Sequence, residues 1–279
     1  MIFGTIAALA QALGIITDKL VLSIFKIKLK QYVPFIFVFL TLVSFILYPY
    51  LGFVDSAQLL NFKYIILFLL MIGVSLWWNL YYYRGIQEEQ VQEFELILML
   101  NPLLVILLSA IFLPQERNLH IFVASIIAAL ALIFAHLKRG HLKFSTSHYR
   151  LILCVFLMSI EVIISKFLLE IFSPVALYGI RCAILTIFLI LIYKPKPSKL
   201  TPRFTWIILF NAILAVSQMV YRYYGYKYIG VMITTLILMA VPPLVYFAAI
   251  KYFKEKLRAR VIISAAIILA CIVYALHFT

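Results

Sequence analysis

The sequence predicts an all-α polytopic membrane protein with ten transmembrane helices arranged as two inverted five-helix repeats. One basis is composition: 66% of the 279 residues are hydrophobic and 12% are charged, whereas soluble domains carry about 25% charged residues. The other is an internal duplication, which predicts a first repeat over residues 1–140 and a second over residues 148–279. At an offset of 140 residues the identical pairs include Tyr81/Tyr221, Tyr83/Tyr223, Gly85/Gly225, Leu96/Leu236, Met99/Met239, Pro102/Pro242 and Val105/Val245.

Ten apolar stretches are long enough to cross a bilayer. The hydrocarbon core is about 30 Å thick and requires roughly 20 apolar residues in a helix, and the mean hydropathy of the chain is +1.11. The connections are short, so no soluble catalytic domain is expected outside the membrane. The predicted helices, numbered 1 to 10, cover residues 3–22, 33–51, 62–83, 91–113, 119–137, 151–171, 175–193, 204–224, 231–252 and 261–278.

An odd number of helices per repeat places the second repeat upside down relative to the first. Inverted repeats give two similar conformations, each open to one side of the membrane, as alternating-access transport requires. Pro102 and Pro242 occupy equivalent positions in helices 4 and 9. They are expected either to mark helix breaks that line a cavity or to produce plain kinks.

The positive charge of the chain indicates its orientation. The net charge is +14, and assigning the Lys and Arg residues to the two sides gives eighteen on one side and five on the other, with Arg181 left within a helix. Lys and Arg are enriched in cytoplasmic loops, so both termini are expected outside the cell (inner) membrane. This placement predicts a lipid bilayer as partner and argues against a nucleic-acid partner.

Several kinds of chemistry have no residue pattern here. Cys154, Cys182 and Cys271 lie singly in apolar stretches, which predicts neither a disulfide framework nor a metal site. The five His residues lack metal-ligand spacing, and Asp18 and Asp55 are the only aspartates. An intramembrane enzyme needs clustered His, Asp or Ser side chains. The sequence therefore predicts no enzyme, no cofactor and no metal.

Two charged residues lie within predicted helices, where an ionisable group is costly unless it faces a cavity or a partner. Glu161 lies about midway along helix 6, and Arg181 lies within helix 7. The two charges could bind the two ends of a zwitterion. The alternative is a structural ion pair that joins helices 6 and 7.

Helix 4 carries acidic residues that its counterpart in the second repeat lacks. Glu93 and Glu95 align, at the offset of 140, with an isoleucine and a threonine. They lie one to two turns into the helix, where burial favours a protonated carboxyl near neutral pH. Each is a candidate for proton coupling or for the counter-charge to a cationic substrate. The alternative is capping of the helix start, where negative charge complements the helix dipole.

Aromatic and amide side chains complete the candidate substrate-binding residues. Aromatic rings can hold an ammonium group, although aromatic belts at membrane interfaces also explain many of them. Buried amides need a partner in the bundle or in a ligand, and Gln11 with Gln218 is the preferred pair. Besides the charged residues above, the candidates are Gln11, Trp77, Trp78, Asn79, Tyr81, Gln218 and Tyr221.

Small residues in helices 5 and 10 have a spacing that allows helices to approach closely. Ala124 and Ala128 stand four residues apart in helix 5, as do Ala266 and Ala270 in helix 10. These helices are expected to be packing elements or the seam of a homodimer rather than cavity walls.

Three stretches of the chain, residues 80–117, 173–184 and 221–256, carry a resemblance to a known family. They resemble the drug/metabolite transporter superfamily, in its EamA-like ten-helix branch, and the resemblance covers nearly the whole chain. Each half of such a protein has a Tyr-rich end to its third helix, a Pro in its fourth, and a Glu-Arg or Glu-Lys pair where the fourth ends. The matching positions are Pro102 with Glu116 and Arg117, Pro242 with Glu255 and Lys256, and Arg181 early in helix 7.

The resemblance implies a secondary transporter that moves a small metabolite through a cavity lined by helices 1, 3, 4, 6, 8 and 9. The intramembrane residues favour a zwitterionic or cationic substrate such as an amino acid or amine, with proton coupling through Glu93 or Glu95 as a further option. One alternative is exchange of an anionic or phosphorylated metabolite bound by Arg181 and Arg222. An alternative of another class is a membrane scaffold that does not transport. The resemblance also implies cytoplasmic termini, as in many relatives, which differs from the orientation that the charges predict.

Overall fold

The computed structural model describes residues 2–25, 29–88, 94, 97–136, 146–195, 202–245 and 259–278. Within these ranges the chain is helical throughout most of its length and forms no β-strand, apart from an isolated bridge between Val54 and Phe172. The helices are α1 (Ile2–Phe25), α2 (Leu29–Leu51), α3 (Phe62–Glu88), α4 (Leu100–Phe112), α5 (Leu119–His136), α6 (Thr146–Leu168), α7 (Pro174–Tyr193), α8 (Pro202–Tyr228), α9 (Val231–Leu238) and α10 (Ala259–His277).

Six of these helices, α2, α3, α6, α7, α8 and α10, are long and apolar enough to cross a membrane. The apolar parts of α1, α4, α5 and α9 are shorter within the described residues. The all-α prediction is therefore confirmed. The arrangement of ten spans in two inverted repeats stays a prediction.

Local sequence explains the boundaries around the connection that precedes α3 and the start of α7. Asp55 Oδ1 accepts hydrogen bonds from backbone N–H groups of the short helical turn Ser56–Leu59. Ser173 caps α7 in the same way, through the N–H of Ala176. Pro174 follows at the first helical position, where its missing N–H leaves no bond unmade.

The chain divides into two compact units, and unit 1 contains Met1–Ile72 and Phe167–Tyr224. In this unit α2 packs against α7. The hydroxyl oxygens of Thr41 and Thr186 are 3.0 Å apart. A Cβ on Gly179 would lie 3.1 Å from the Cβ of Ser44, so the missing side chain lets these helices approach closely. Residue numbers rise on α2 as they fall on α7, which makes the pair antiparallel.

Unit 2 contains Gly73–Lys166 and Gly225–Thr279. Here α5 packs antiparallel to α10. Near one end Asn118 Nδ2 donates to the carbonyl oxygen of Phe278 at 3.1 Å, and near the other Ser264 Oγ donates to that of Ala131 at 2.8 Å. Apolar side chains of α4, α5, α9 and α10 pack together between these four helices.

The two alanine pairs in α5 and α10 have different surroundings. Ala124 and Ala128 are buried in the apolar cluster that α5 shares with α10. Ala266 and Ala270 are exposed, so they lie outside that contact. Close helix packing is thus observed for the first pair, and a homodimer seam stays a prediction.

Each compact unit takes residues from both halves of the sequence. The units describe which residues pack together, whereas the repeats 1–140 and 148–279 describe a duplication of sequence. Packing of this kind does not test the duplication, so the repeat boundaries stay a prediction.

Candidate functional site

A buried carboxylate lies inside unit 2, near the middle of α6. Glu161 is 5% exposed and stands three residues past the midpoint of the apolar span His148–Leu168. Its Oε2 accepts a hydrogen bond from Ser75 Oγ at 2.8 Å and another from Trp78 Nε1. An ionisable group at this depth is a functional candidate by default.

The donors to Glu161 share one face of α3. Residues at i, i+3, i+4 and i+7 of a helix point to the same side, and here they are Ser75, Trp78, Asn79 and Tyr82. Asn79 is buried, and its Nδ2 donates to the backbone oxygen of Ser75 at 2.7 Å. The ring of Tyr82 meets that of Trp78 edge-on, with centroids 6.1 Å apart. One helix face therefore supplies both the hydrogen bonds and the aromatic surface beside the carboxylate.

Two further contacts fix α6 against its neighbours in unit 2. Cys154 Sγ donates to the backbone oxygen of Trp78 at 3.3 Å, which ties α6 to α3. Asn101 Nδ2 donates to Ser159 Oγ at 3.0 Å, which ties α6 to α4. Glu161 is therefore held on a helix that two others position, rather than on a loop.

This arrangement can bind a positive group. The carboxylate supplies a negative charge, and the indole and phenol rings beside it can attract an ammonium group through their faces. Among the described residues, no group of three or more His, Cys, Asp or Glu side chains could hold a metal ion.

Trp77 and Tyr81, two predicted binding residues, lie beside this face of α3. Trp77 is 55% exposed, and its ring lies tilted against that of Tyr81 with centroids 5.9 Å apart. Trp78, the next residue, is half-buried and donates to Glu161. The two tryptophans therefore differ in surroundings, and a substrate-binding role for Trp77 or Tyr81 stays a prediction.

Arg181 lies in unit 1, within α7. It is 3% exposed, and its guanidinium carbon is 5.9 Å from the ring centroid of Tyr178 on the preceding turn. Tyr178 in turn meets Tyr223 edge-on, with centroids 6.3 Å apart. Glu161 belongs to unit 2, so the proposed pairing of Glu161 with Arg181 stays a prediction.

Gln11 has a charged partner in unit 1. Arg222 Nη2 donates to Gln11 Oε1 at 2.9 Å, which joins α8 to α1. Gln218, the other preferred amide candidate, stands one turn before Arg222 on the same face of α8 and is half-buried. Tyr221 is adjacent, and its ring stacks on that of Phe3 with centroids 6.4 Å apart.

The acidic residues predicted to couple protons cannot be placed. Glu93 and Glu95 lie outside the described residues. The same holds for Glu255 and Lys256, the second charged pair of the family pattern. Their roles stay predictions from sequence.

Glu116 forms a second buried carboxylate site in unit 2. Its Oε2 accepts hydrogen bonds from the N–H groups of Val231 at 2.6 Å and Met232 at 3.2 Å, so it caps the start of α9. Its Oε1 lies 3.1 Å from Lys166 Nζ. Lys166 Nζ also donates to the backbone oxygen of Tyr226 at 2.5 Å. This carboxylate therefore joins the end of α4, the end of α6 and the start of α9.

Arg117, the next residue of the pattern, has a related role at the end of α4. Its Nε donates to the carbonyl oxygen of Ala110 at 2.7 Å and its Nη2 to that of Ile111 at 3.0 Å. A basic side chain that satisfies the last carbonyl groups of a helix stabilises the helix end. The Glu116 and Arg117 pair thus caps two different helices.

Sequence reasoning missed Ser75, Asn101 and Ser159, which position Glu161 or its helix. Ser and Asn inside an apolar stretch give a weak signal, because a hydroxyl can also bond its own helix, as Ser159 Oγ does with the carbonyl of Val155 at 2.8 Å. The sequence shows that Ser75 and Trp78 share one helix face. It does not show that this face lies opposite Glu161 on α6.

The fold and these sites define a class of protein: an integral, multi-pass helical membrane protein with charged groups inside its apolar spans. The model of the EamA-like transporter family matches residues 147–276. The predicted resemblance to the drug/metabolite transporter superfamily is therefore confirmed over the second half of the chain. The match indicates a membrane transporter of the drug/metabolite type.

Solved structures also share this fold. Twenty-nine chains match, among them one described as "Crystal structure of protein", with a TM-score of 0.78 and 15% sequence identity over 99% of this chain and 97% of that chain. At this identity the likeness shows the fold alone. The comparison with curated proteins gives no match.

Proposed function

We propose that this protein is a secondary active transporter of a small zwitterionic or cationic metabolite, such as an amino acid or an amine. The observation that carries the proposal is Glu161, a carboxylate buried at mid-span beside the indole of Trp78. A carboxylate next to aromatic rings selects an ammonium group by charge and by cation–π attraction. Proton coupling through Glu93 or Glu95 is part of the proposal and rests on sequence alone.

The proposed mechanism is alternating access between two inverted five-helix repeats in the cell (inner) membrane. Its support is the duplication at an offset of 140 residues, with five predicted helices in each copy. The proposed orientation, with both termini outside, rests on the eighteen-to-five division of Lys and Arg.

A second candidate is an exchanger of an anionic or phosphorylated metabolite. It is favoured by Arg181, which is 3% exposed within the apolar span Pro174–Tyr193. A guanidinium binds carboxylates and phosphates through paired N–H donors. A scaffold without transport is the third possibility, and it requires that the intramembrane charges be dispensable for flux.

The test is substrate-induced current and radiolabel counterflow in proteoliposomes, with amines, amino acids and phosphorylated anions. The wild type and Glu161→Gln are compared with Glu170→Gln, which removes an exposed carboxylate beside Lys63 and Tyr64. We expect a saturable signal with an amine or amino acid that Glu161→Gln lowers about ten- to a hundred-fold and Glu170→Gln leaves unchanged.

The other two results each favour one of the alternative functions. A signal from anions alone, lost in Arg181→Ala, selects the exchanger, and Glu93→Gln leaves such transport intact. Absence of both current and counterflow in folded, reconstituted protein selects the scaffold, since counterflow detects electroneutral exchange as well.

A further inference from the structure

Arg222 on α8 is a further charged group within an apolar span, and it has an unfilled hydrogen-bonding position. Its Nε is buried and has no hydrogen-bond partner among the residues that the structure describes. Its Nη2 donates to Gln11 Oε1 at 2.9 Å. A buried donor on a charged group is costly when it lacks an acceptor, so this position calls for one.

Arg222 lies near the C-terminal end of α8, and its guanidinium extends away from that end. The ring of Phe3 stacks on those of Tyr224 and Tyr221, with centroids 5.4 and 6.4 Å away. The start of α1 therefore lies beside the C-terminal end of α8. Gln11 stands eight residues further along α1 than Phe3, which is about 12 Å at 1.5 Å per residue. Side chains on a helix tilt toward its N-terminus, so the Arg222 guanidinium extends along α8 to reach Gln11. An arginine that merely anchored α8 would extend to the membrane surface instead.

Among the described residues, the hydrogen-bond partner of this guanidinium is a neutral amide. Gln11 supplies one acceptor. Gln218 stands one turn before Arg222 on the same face of α8. The pair of Arg222 with Gln11 carries a single positive charge. A carboxylate carries one negative charge and two oxygens that fit the N–H fork of a guanidinium. A phosphate monoester would add close to a second charge with no counterpart in this pair.

We propose that Arg222 and Gln11 form a binding site in unit 1 for the carboxylate group of the transported metabolite. This inference rests on the proposed function, and it narrows the class of transported substrates to compounds that bear a carboxylate. The site takes an oxyanion, and the two sources of that chemistry are a soluble carboxylate and the phosphate of a lipid headgroup.

The test is binding of butyrate and, separately, of butylammonium to purified protein in nanodiscs of phosphatidylcholine, measured by ligand-observed NMR. We expect butyrate binding that Arg222→Gln abolishes. Arg222→Lys keeps the charge but loses the fork, so it weakens butyrate binding about tenfold. Gln11→Leu weakens it as well, and these two variants serve if Arg222→Gln fails to fold. Arg84→Gln, which removes an exposed arginine on α3, is the control and leaves butyrate binding unchanged.

Butyrate tests the Arg222 site, and butylammonium tests the proposed function at Glu161. Butyrate binding that survives Arg222→Gln, or that is lost only in Arg181→Gln, overturns this site. Butyrate binding that appears in phosphatidylcholine but vanishes with phosphatidylglycerol in the nanodisc assigns the site to lipid and also overturns it. Butylammonium reports on the proposed function alone: its binding is expected to be lost in Glu161→Gln and unchanged in Arg222→Gln. A failure of that arm leaves the butyrate result interpretable.

Discussion

Two buried carboxylates in unit 2, Glu116 and Glu161, are bound in different ways. Glu116 accepts from backbone N–H groups at the start of α9 and pairs with Lys166. Glu161 accepts from the side chains of Ser75 and Trp78 on one face of α3. Glu116 supplies an acceptor for N–H donors that the start of a helix leaves unpaired, whereas Glu161 stands in mid-helix, where no such need exists. The difference indicates a structural role for Glu116 and supports the proposed substrate-binding role of Glu161.

The largest effect is expected at the Glu116 site. Lys166→Met leaves Glu116 with an uncompensated charge, since the two side chains are only 18% and 10% exposed. Breaking a buried ion pair in this way costs about 3–5 kcal/mol of folding free energy, measurable by unfolding in mixed micelles. The control is Lys63→Met, which removes a pair at 3.9 Å that is 56% and 50% exposed and should cost about 0–1 kcal/mol. Equal losses in the two variants would remove the structural role of Glu116.

At the Glu161 site the expected loss is in transport rather than in folding. Glu161→Gln keeps the shape of the side chain and removes its charge. A hydrogen bond or contact to a charged group contributes about 1.5–3 kcal/mol, which corresponds to a roughly ten- to hundred-fold lower initial rate of counterflow for an amine or amino acid. The thermal midpoint should change little. A variant that unfolds more easily but transports normally per folded molecule would reverse the assignment of the two carboxylates.

Gly230 sharpens the structural side of the comparison. Its φ is +95°, and a Cβ there would lie 3.1 Å from the carboxylate of Glu116. Gly230→Ala should therefore cost about 1–3 kcal/mol of stability through backbone strain and displace the cap of α9. Hydrogen exchange of the amides of Val231 and Met232 should rise in this variant. Protection as in the wild type would show that the cap tolerates a side chain at this position.

The smallest predicted effect separates two adjacent tryptophans. Trp78→Phe keeps an aromatic ring and removes the Nε1 donor to Glu161, a hydrogen bond with a net contribution of about 0.5–1.5 kcal/mol. The KM for the substrate should rise roughly two- to tenfold. Trp77→Phe, at a 55% exposed position, should leave KM within about twofold of the wild type. A larger KM change for Trp77→Phe would move the binding surface to the other face of α3.

The sequence was sufficient for the helical class of the fold and for the charged groups inside it. Glu161 and Arg181 stand out because a charge in an apolar stretch is rare, and both proved to be buried. The duplication and the family pattern identified Glu116 and Arg117 as a pair, but their opposite capping roles depend on helices far apart in the chain.

Partners across helices were not predictable, because helical spacing defines a face and not what lies opposite it. Gln11 and Gln218 were the preferred candidates among the amides, but the hydrogen bond that Gln11 accepts from Arg222 was not predicted. Ala266 and Ala270 have the spacing of a helix contact but face outward. The sequence duplication also did not indicate that each compact unit would contain residues from both halves of the sequence.

The most direct test of the central claim is counterflow of amines and amino acids by Glu161→Gln and Glu116→Gln, normalised to the amount of folded, reconstituted protein. We predict that Glu161→Gln transports about ten- to a hundred-fold more slowly than the wild type. We also predict that Glu116→Gln, though less stable, transports at the wild-type rate per folded molecule. Wild-type counterflow by Glu161→Gln would show that the Glu161 carboxylate does not bind the substrate.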